Sequence, residues 1–409
     1  MVGLSPPADF RSILGDRRFA LWLTSQTAGN LGYSAWAISV LWLAYLISGT
    51  LLLSALVLFV QYGIYSLTPF VGPFVDRTRD KRTVFLIVLP LQAITAVVVG
   101  VFAASGSLSE TVLLCAVAIM SLLDDFWWTT NNTVPRLLVG KDNLLRANGV
   151  KSGFLGAGSL AGYAAGAALL IVVGPAGGAF LRAAMMALAA VLMIPVAIPS
   201  VPTHVRRLFA IFVEGWSFLW KETGRSLLKI DMTFAAWGFF GGAPPLLITL
   251  FANREFGGSS FDYGLLFTAY MVGAIVSGIA VGRINPRRYI GTFLIVSIVA
   301  TGAAIGLAVV VVSFVLPSAA VWFLVGLASG VPSTLVYTYF QAVAPPEAVG
   351  RIVGNLELFP SVTSAVGSVV LGVLAAILSP NALGLYMGLV FVAVGAVALG
   401  IPAVRRMRF

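Results

Sequence analysis

Val84-Phe-Leu-Ile-Val-Leu-Pro-Leu-Gln-Ala-Ile-Thr-Ala-Val-Val-Val-Gly-Val-Phe-Ala-Ala104 contains no charged residue, and Arg77-Thr-Arg-Asp-Lys-Arg82 precedes it with Thr83 between them. A stretch of about 20 apolar residues is the length that crosses a hydrocarbon core of ~30 Å. Charges packed as densely as those of 77–82 are too costly to enter that core. The segment therefore predicts a membrane-spanning helix anchored by a basic loop at one end. Outward from it the pattern repeats, with spans near 19–47, 51–75, 84–104, 110–132, 148–172, 177–198, 230–252, 261–282, 289–314, 318–342, 354–378 and 382–403.

The composition agrees. Of 409 residues, 59% are hydrophobic and 10% charged, against roughly 45–50% and 25% in soluble domains. A water-soluble fold is excluded, and a dozen spans leave little chain for a soluble catalytic domain. The longest polar connection is 199–229, so the organisation reads as a six-helix half (1–198), a linker (199–229) and a second six-helix half (230–409). Within the linker, Leu208, Phe212, Trp216, Leu219 and Trp220 alternate with Arg206, Arg207, Lys221 and Arg225, the pattern of an amphipathic helix lying on the membrane surface.

A net charge of +10 would suggest nucleic acid in a soluble protein. Here every Lys and Arg except Arg182 and Arg254 falls in segments on the same side as the N-terminus. That asymmetry is the positive-inside pattern, and it predicts an even number of spans with both termini cytoplasmic. The charge is topology, so no nucleic-acid partner is expected. The stretch before Phe19 carries prolines and both charge signs, so a cleaved signal peptide is not expected and the first helix serves as its own insertion signal. Cys115 is the single cysteine and His204 the single histidine. With no glycine loop ending in Lys-Ser/Thr and no metal-ligand cluster, the expectation is a non-enzyme without cofactor, metal or direct ATP drive.

Gly72-Pro-Phe-Val-Asp76-Arg77 recurs in weakened form as Gly278-Ile-Ala-Val-Gly282-Arg283, each ahead of a basic loop. Matching positions in two halves are the trace of an internal repeat, and transporters with such repeats place substrate between them near the midplane. Followed by Lys81 and Arg82, the first copy resembles the loop motif of the major facilitator superfamily. That resemblance implies that Gly72 permits close helix approach and that Asp76, Arg77, Lys81 and Arg82 latch the halves together. The plainer reading is a positive-inside loop.

In the fifth span, Gly149, Gly158, Gly162 and Gly166 resemble the glycine motif of the superfamily's antiporters, with Tyr163 where that pattern has proline. Glycines four residues apart also serve simple close packing of helices in lipid. Pro135-Arg-Leu-Leu-Val with Asn143-Leu-Leu-Arg-Ala-Asn148, Glu214-Gly-Trp-Ser-Phe-Leu-Trp220, Phe256-Gly-Gly-Ser with Tyr263-Gly264, and Pro345-Pro-Glu-Ala-Val-Gly350-Arg351 extend the likeness over about residues 15 to 400. Together these segments resemble the drug, macrolide and siderophore exporter branch. The resemblance implies an all-α membrane protein of 12 helices in two pseudo-symmetric halves, a central cavity and alternating access driven by a proton gradient.

Ionisable groups at bilayer depth are the functional candidates. Asp124 and Asp125 fall near the middle of the fourth span. Adjacent residues differ by 100° around a helix, so one stripe joins Ser121, Asp125, Thr129 and Asn132, and another joins Asp124, Trp128 and Asn131. Asp125 is expected to line the cavity with Asp124 at its flank and Trp127 and Trp128 as aromatic surface. Both carboxyls are candidates for proton coupling or substrate contact. The alternative is a static pair with Arg182, which would have to overcome a depth offset of roughly 15 Å at 1.5 Å per residue.

Glu357, Ser361, Ser364 and Ser368 form a second stripe, and Gln26, Asn30 and Tyr33 a third. Glu357 also reads as a first-turn acid favoured by the helix dipole and close to Arg351 or the Asp76 loop. Asp231 is a lesser candidate at the mouth of its span. Gly241-Gly-Ala-Pro244-Pro245 must kink or break the seventh span. The sequence thus points to a monomeric, proton-linked exporter of amphipathic or lipophilic small molecules in a prokaryotic cytoplasmic membrane, its partners being that substrate, protons and membrane lipids. Alternatives are an importer or a lipid-like solute flippase, and a non-transporting membrane sensor or assembly protein.

Overall fold

A computed structural model describes residues 15–139, 144–200, 217, 219–284, 289–311, 314–343 and 349–407. These form helices α1 (Arg17–Ser48), α2 (Leu51–Tyr65), α3 (Thr68–Arg77), α4 (Lys81–Ala104), α5 (Glu110–Val139), α6 (Leu144–Val172), α7 (Ala176–Met193), α8 (Glu222–Phe239), α9 (Ala243–Arg254), α10 (Ser260–Ile284), α11 (Ile290–Val310), α12 (Val315–Val343), α13 (Val349–Ile377), α14 (Pro380–Leu399) and the single turn α15 (Pro402–Arg405). No strand occurs among the described residues.

Two spans are broken, each for a legible reason. Span 2 is α2 plus α3, bent by 48°, where Pro69 follows Thr68 and removes a backbone donor from the helix. Span 7 is α8 plus α9, interrupted at Phe240–Gly242, and Pro244 and Pro245 sit in the first turn of α9, where a missing donor costs nothing. Counting each broken pair as one crossing gives twelve spans. Span 7 starts at Glu222 rather than near 230, because Arg225 and Lys229 point outward while Leu227 and Ile230 are buried. The helix simply continues beyond the hydrocarbon. The amphipathic linker segment before Ser217 lies outside the described residues.

The second six spans repeat the packing of the first. Span 1 packs on spans 5 and 6, span 3 on 4 and 6, and span 2 on 4; correspondingly, span 7 packs on 11, span 9 on 10 and 12, and span 8 on 10. The halves join through spans 2 with 11 and 5 with 8, two interfaces that the same pseudo-twofold exchanges.

The bundle has a basic end, carrying the loop at residues 77–82, and a far end where α1 turns into α2. The halves are joined by hydrogen bonds toward the far end. Trp42 Nε1 donates to Ser260 Oγ at 3.1 Å, Tyr45 OH to Asn253 Oδ1 at 2.7 Å, and Tyr263 OH to the Ile38 carbonyl at 2.7 Å. Trp42 also stacks on Tyr263 with centroids 4.6 Å apart. Toward the basic end span 5 stands clear, since a Cβ added at Gly149, Gly153 or Gly156 would meet nothing within 4 Å.

Candidate functional site

A cavity of about 460 Å³ lies between the halves. It is walled by Tyr33 of span 1; by Tyr62, Tyr65 and Thr68 at the bend of span 2; by Asp125, Trp128, Thr129 and Asn132 of span 4; by Phe234, Trp237, Gly238 and Gly241 of span 7; by Ser333 and Tyr337 of span 10; and by Glu357, Pro360, Ser361 and Ser364 of span 11. Asp125 comes from one half and Glu357 from the other, and no Lys, Arg or His lines the space among the described residues. Aromatic walls with two carboxyl groups suit an organic molecule with apolar faces and a few polar or positively charged groups.

The two breaks build this site. The bend of span 2 turns Thr68 toward span 4, where its hydroxyl donates to Asp125 Oδ1 at 2.9 Å. Asp125 Oδ2 has no hydrogen-bond partner among the described residues. Beside it, Gln61 Nε2 donates to the Tyr65 hydroxyl at 3.1 Å, and the Tyr65 and Tyr33 hydroxyls lie 3.4 Å apart. In the other half, Ser364 Oγ donates to the Gly238 carbonyl at 2.6 Å, tying span 11 to the interrupted end of α8.

Asp124 points elsewhere. Arg182 Nη2 donates to its Oδ1 at 2.8 Å, and Gln92 Nε2 donates to the same oxygen at 3.1 Å. Both charged side chains are sealed within the N-terminal half, Arg182 at 0% and Asp124 at 2% exposure. The Arg182 guanidinium also stands over the Tyr33 ring, 5.7 Å from its centroid. The ion pair corrects the depth argument against it. Along span 1, a Cβ on Gly29 would meet Trp127 at 2.9 Å and a Cβ on Gly32 would meet the Arg182 Cα at 3.2 Å. These two positions differ by only about 4.5 Å of helix rise. Spans 4 and 6 begin at unequal heights at the far end, so counting residues from those ends misjudged the relative depth.

Other expected cavity residues lie in helix interfaces instead. Asn30 Nδ2 donates to the Leu155 carbonyl at 2.7 Å and to Ser159 Oγ at 2.6 Å, joining spans 1 and 5. Gln26 lies against Met193 of span 6, its Nε2 4.0 Å from the sulfur. Trp127 is fully buried against Gly29, a full 100° from the cavity-facing Trp128. Asp231, two residues past the exposed Lys229 near the start of its span, is completely buried; among the described residues neither of its carboxyl oxygens has a hydrogen-bond partner, and it does not line the cavity.

Gly158, Gly162 and Gly166 press against the Thr27, Leu31 and Ala35 backbone of span 1, whereas Gly149 and Gly72 face open space. Tyr163 reaches across to span 8, its ring 6.2 Å from that of Phe267. Lys81 donates to the carbonyls of Val75 and Thr78 at the end of α3, and Arg82 to the Ile194 carbonyl at the end of span 6. Those bonds stay inside the N-terminal half. The Asp76 and Arg351 side chains lie outside the described ones. Tyr62, Tyr65, Thr68, Phe234, Trp237 and Tyr337 were not foreseen as site residues. The three-residue spacing of Tyr62, Tyr65 and Thr68, a polar-aromatic stripe in an apolar span, was the available signal.

Comparisons with known proteins agree with this architecture. Residues 232–408 match the family model of the Major Facilitator Superfamily. The enterobactin exporter EntS of Shigella boydii serotype 4 (strain Sb227) is 26% identical over 295 residues, spanning 70% of this chain and 69% of the relative. EntS of Escherichia coli (strain SMS-3-5 / SECEC) shows the same identity and coverage, 26% over 295 residues. Among solved structures, the nucleoside transporter NupG superposes with a TM-score of 0.73 at 12% identity, over 94% of this chain and 98% of its own. A bacterial homologue of the human lysosomal transporter Spinster, inward-facing and unoccupied, does so with a TM-score of 0.68 at 16% identity, over 96% and 99%. Twelve spans in two pseudo-symmetric halves around one cavity, with these likenesses, show an integral membrane protein with the major facilitator fold, similar in sequence to that superfamily's transporters and among them to the siderophore exporters.

Proposed function

We propose that this transporter exports amphipathic or lipophilic small molecules by alternating access, coupled to a proton gradient. The observation that carries the reading is the pair of carboxyls, Asp125 and Glu357, one from each half, in a single aromatic-walled cavity that lacks basic side chains. A group that must respond to both substrate and proton has to face the transport pathway and keep a free bonding position. Asp125 borders the cavity, and its Oδ2, buried in this state, has no hydrogen-bond partner among the described residues, while Asp124 is committed to Arg182. With the basic end cytoplasmic, the far-end bonds close the outer side and the cavity belongs to an inward-facing state. In that state substrate enters from the cytoplasm, and rocking of the halves breaks the Trp42, Tyr45 and Tyr263 contacts to open the other side. The similarity to chains named as enterobactin exporters supports outward transport of a small molecule.

The test is transport in reconstituted vesicles with an imposed pH gradient, using a panel of fluorescent amphipathic compounds. Gradient-driven flux in the wild type that disappears in Asp125→Asn and Glu357→Gln is the expected result. Flux that ignores the gradient would overturn coupling and favour a flippase or facilitator. No flux of any compound, with stable folded protein, would favour a sensor or assembly role.

A further inference from the structure

Spans 7 and 12 leave a second, separate space at the basic end of the bundle. On α8 it is bordered by Lys229, Met232 and Ala236, and on α14 by Ala393 and Val397, with Pro402 closing the floor. Residues three and four apart share one helix face, so each helix presents a stripe to the other. The two stripes do not fill the space between the helices, and a groove of about 770 Å³ remains. It opens to the outside of the bundle, where Val397 is 67% exposed and Met232 40%. The central cavity is on a different face of α8, the one carrying Phe234, Trp237 and Gly238.

Two features define the occupant. The walls offer almost no hydrogen-bonding atoms, and an ordered water needs two to four polar partners, so the groove suits hydrocarbon rather than water. Its mouth is basic. Lys229 is exposed at the rim, and Arg405 and Arg406, also exposed, close the turn that begins at Pro402 and packs on α8. Among the described residues no acidic side chain borders the groove. Basic clusters at the ends of apolar grooves between spans are the chemistry that holds an anionic head group while its tail stays in hydrocarbon.

We propose that this groove is a binding site for an anionic glycerophospholipid, one acyl chain lying between α8 and α14 and the phosphate held by Lys229, Arg405 and Arg406. A lipid seated there bridges the first helix of the C-terminal half to its last. It is therefore placed to influence how span 7 moves.

The experiment is native mass spectrometry of the purified full chain, titrated with phosphatidylglycerol or phosphatidylcholine of identical acyl chains. The wild type should retain phosphatidylglycerol more strongly. Lys229→Gln/Arg405→Gln/Arg406→Gln should reduce that preference by roughly tenfold or more, while Arg17→Gln/Arg18→Gln, a similar charge loss elsewhere, should leave it intact. Ala393→Trp, and Ala236→Leu should the tryptophan variant misfold, should weaken retention of both lipids by filling the groove. Equal binding of the two lipids by the wild type, or an unchanged preference in the triple variant, would overturn the proposal. So would undiminished retention in a folded groove-filling variant, or a second copy of the chain in place of lipid.

Discussion

Arg182 holds Asp124 at 2.8 Å inside the N-terminal half, and this one contact separates two carboxyls that are neighbours in sequence. Asp124, bound also by Gln92, is fixed away from the transport route. Asp125, on the next 100° of the helix, borders the cavity, with Thr68 as its hydrogen-bond partner among the described residues. Tyr33 touches both environments, lining the cavity while its ring receives the Arg182 guanidinium.

Removing one member of a buried ion pair strands the other, which typically costs about 3–5 kcal/mol, whereas replacing both with apolar residues is far milder. Arg182→Met should therefore lower thermal stability in detergent sharply, and Asp124→Leu/Arg182→Met should regain most of it. A double variant no more stable than the single one would show that the pair is not the source of the effect.

Asp125→Asn is expected to fold normally, because the amide oxygen can still accept from Thr68. If Asp125 contacts substrate, losing a charge-assisted hydrogen bond of about 1.5–3 kcal/mol weakens affinity by roughly ten- to hundredfold. Fluorescence titration with a transported compound checks the affinity, and vesicle flux checks the loss of gradient drive. Asp124→Asn, assayed beside it, should show its main defect in stability.

In the proposed cycle the far-end contacts of Trp42, Tyr45 and Tyr263 hold the closed end shut. Two hydrogen bonds at about 0.5–1.5 kcal/mol each mean that Tyr45→Phe/Ser260→Ala should shift the balance toward opening of the far end by roughly fivefold to a hundredfold. Spin labels at the exposed Leu46 and Phe261 positions would report this as growth of a longer-distance population. An unchanged distance distribution would remove the clasp role.

Glycines of span 5 should divide by location. Gly162→Leu forces a side chain into the Leu31 backbone and should cost about 1–3 kcal/mol or more as overpacking. Gly149→Leu enters open space and should leave unfolding unchanged. Equal effects at both sites would mean that contact with span 1 is not what the glycines serve.

Most of the architecture was legible because span length, loop charge and Pro/Gly punctuation are local quantities. The break at Gly241–Pro245 and the bounds of most spans follow from residues read one helix at a time. Azimuth and depth are not local in that way. Gln26, Asn30 and Trp127 look like cavity residues on a helical wheel, but Asn30 meets span 5, Gln26 meets span 6 and Trp127 of span 4 meets Gly29 of span 1, pairings that only the packing of the helices sets. The aromatic walls from Tyr62, Phe234 and Tyr337 were missed for the complementary reason. Aromatic residues in an apolar span carry no sign of which neighbour, lipid or cavity, they will face.

The sequence by itself determined the number of crossings, the basic end and the repeat of six helices in two halves, since the energetics of hydrocarbon and charge act on every segment separately. Only the tertiary structure decided that Asp124 belongs to Arg182 and Asp125 to the cavity. A 100° step along one helix says that two adjacent carboxyls must diverge, and the packing of spans 1, 3 and 6 around that helix decides which of them is buried with a partner.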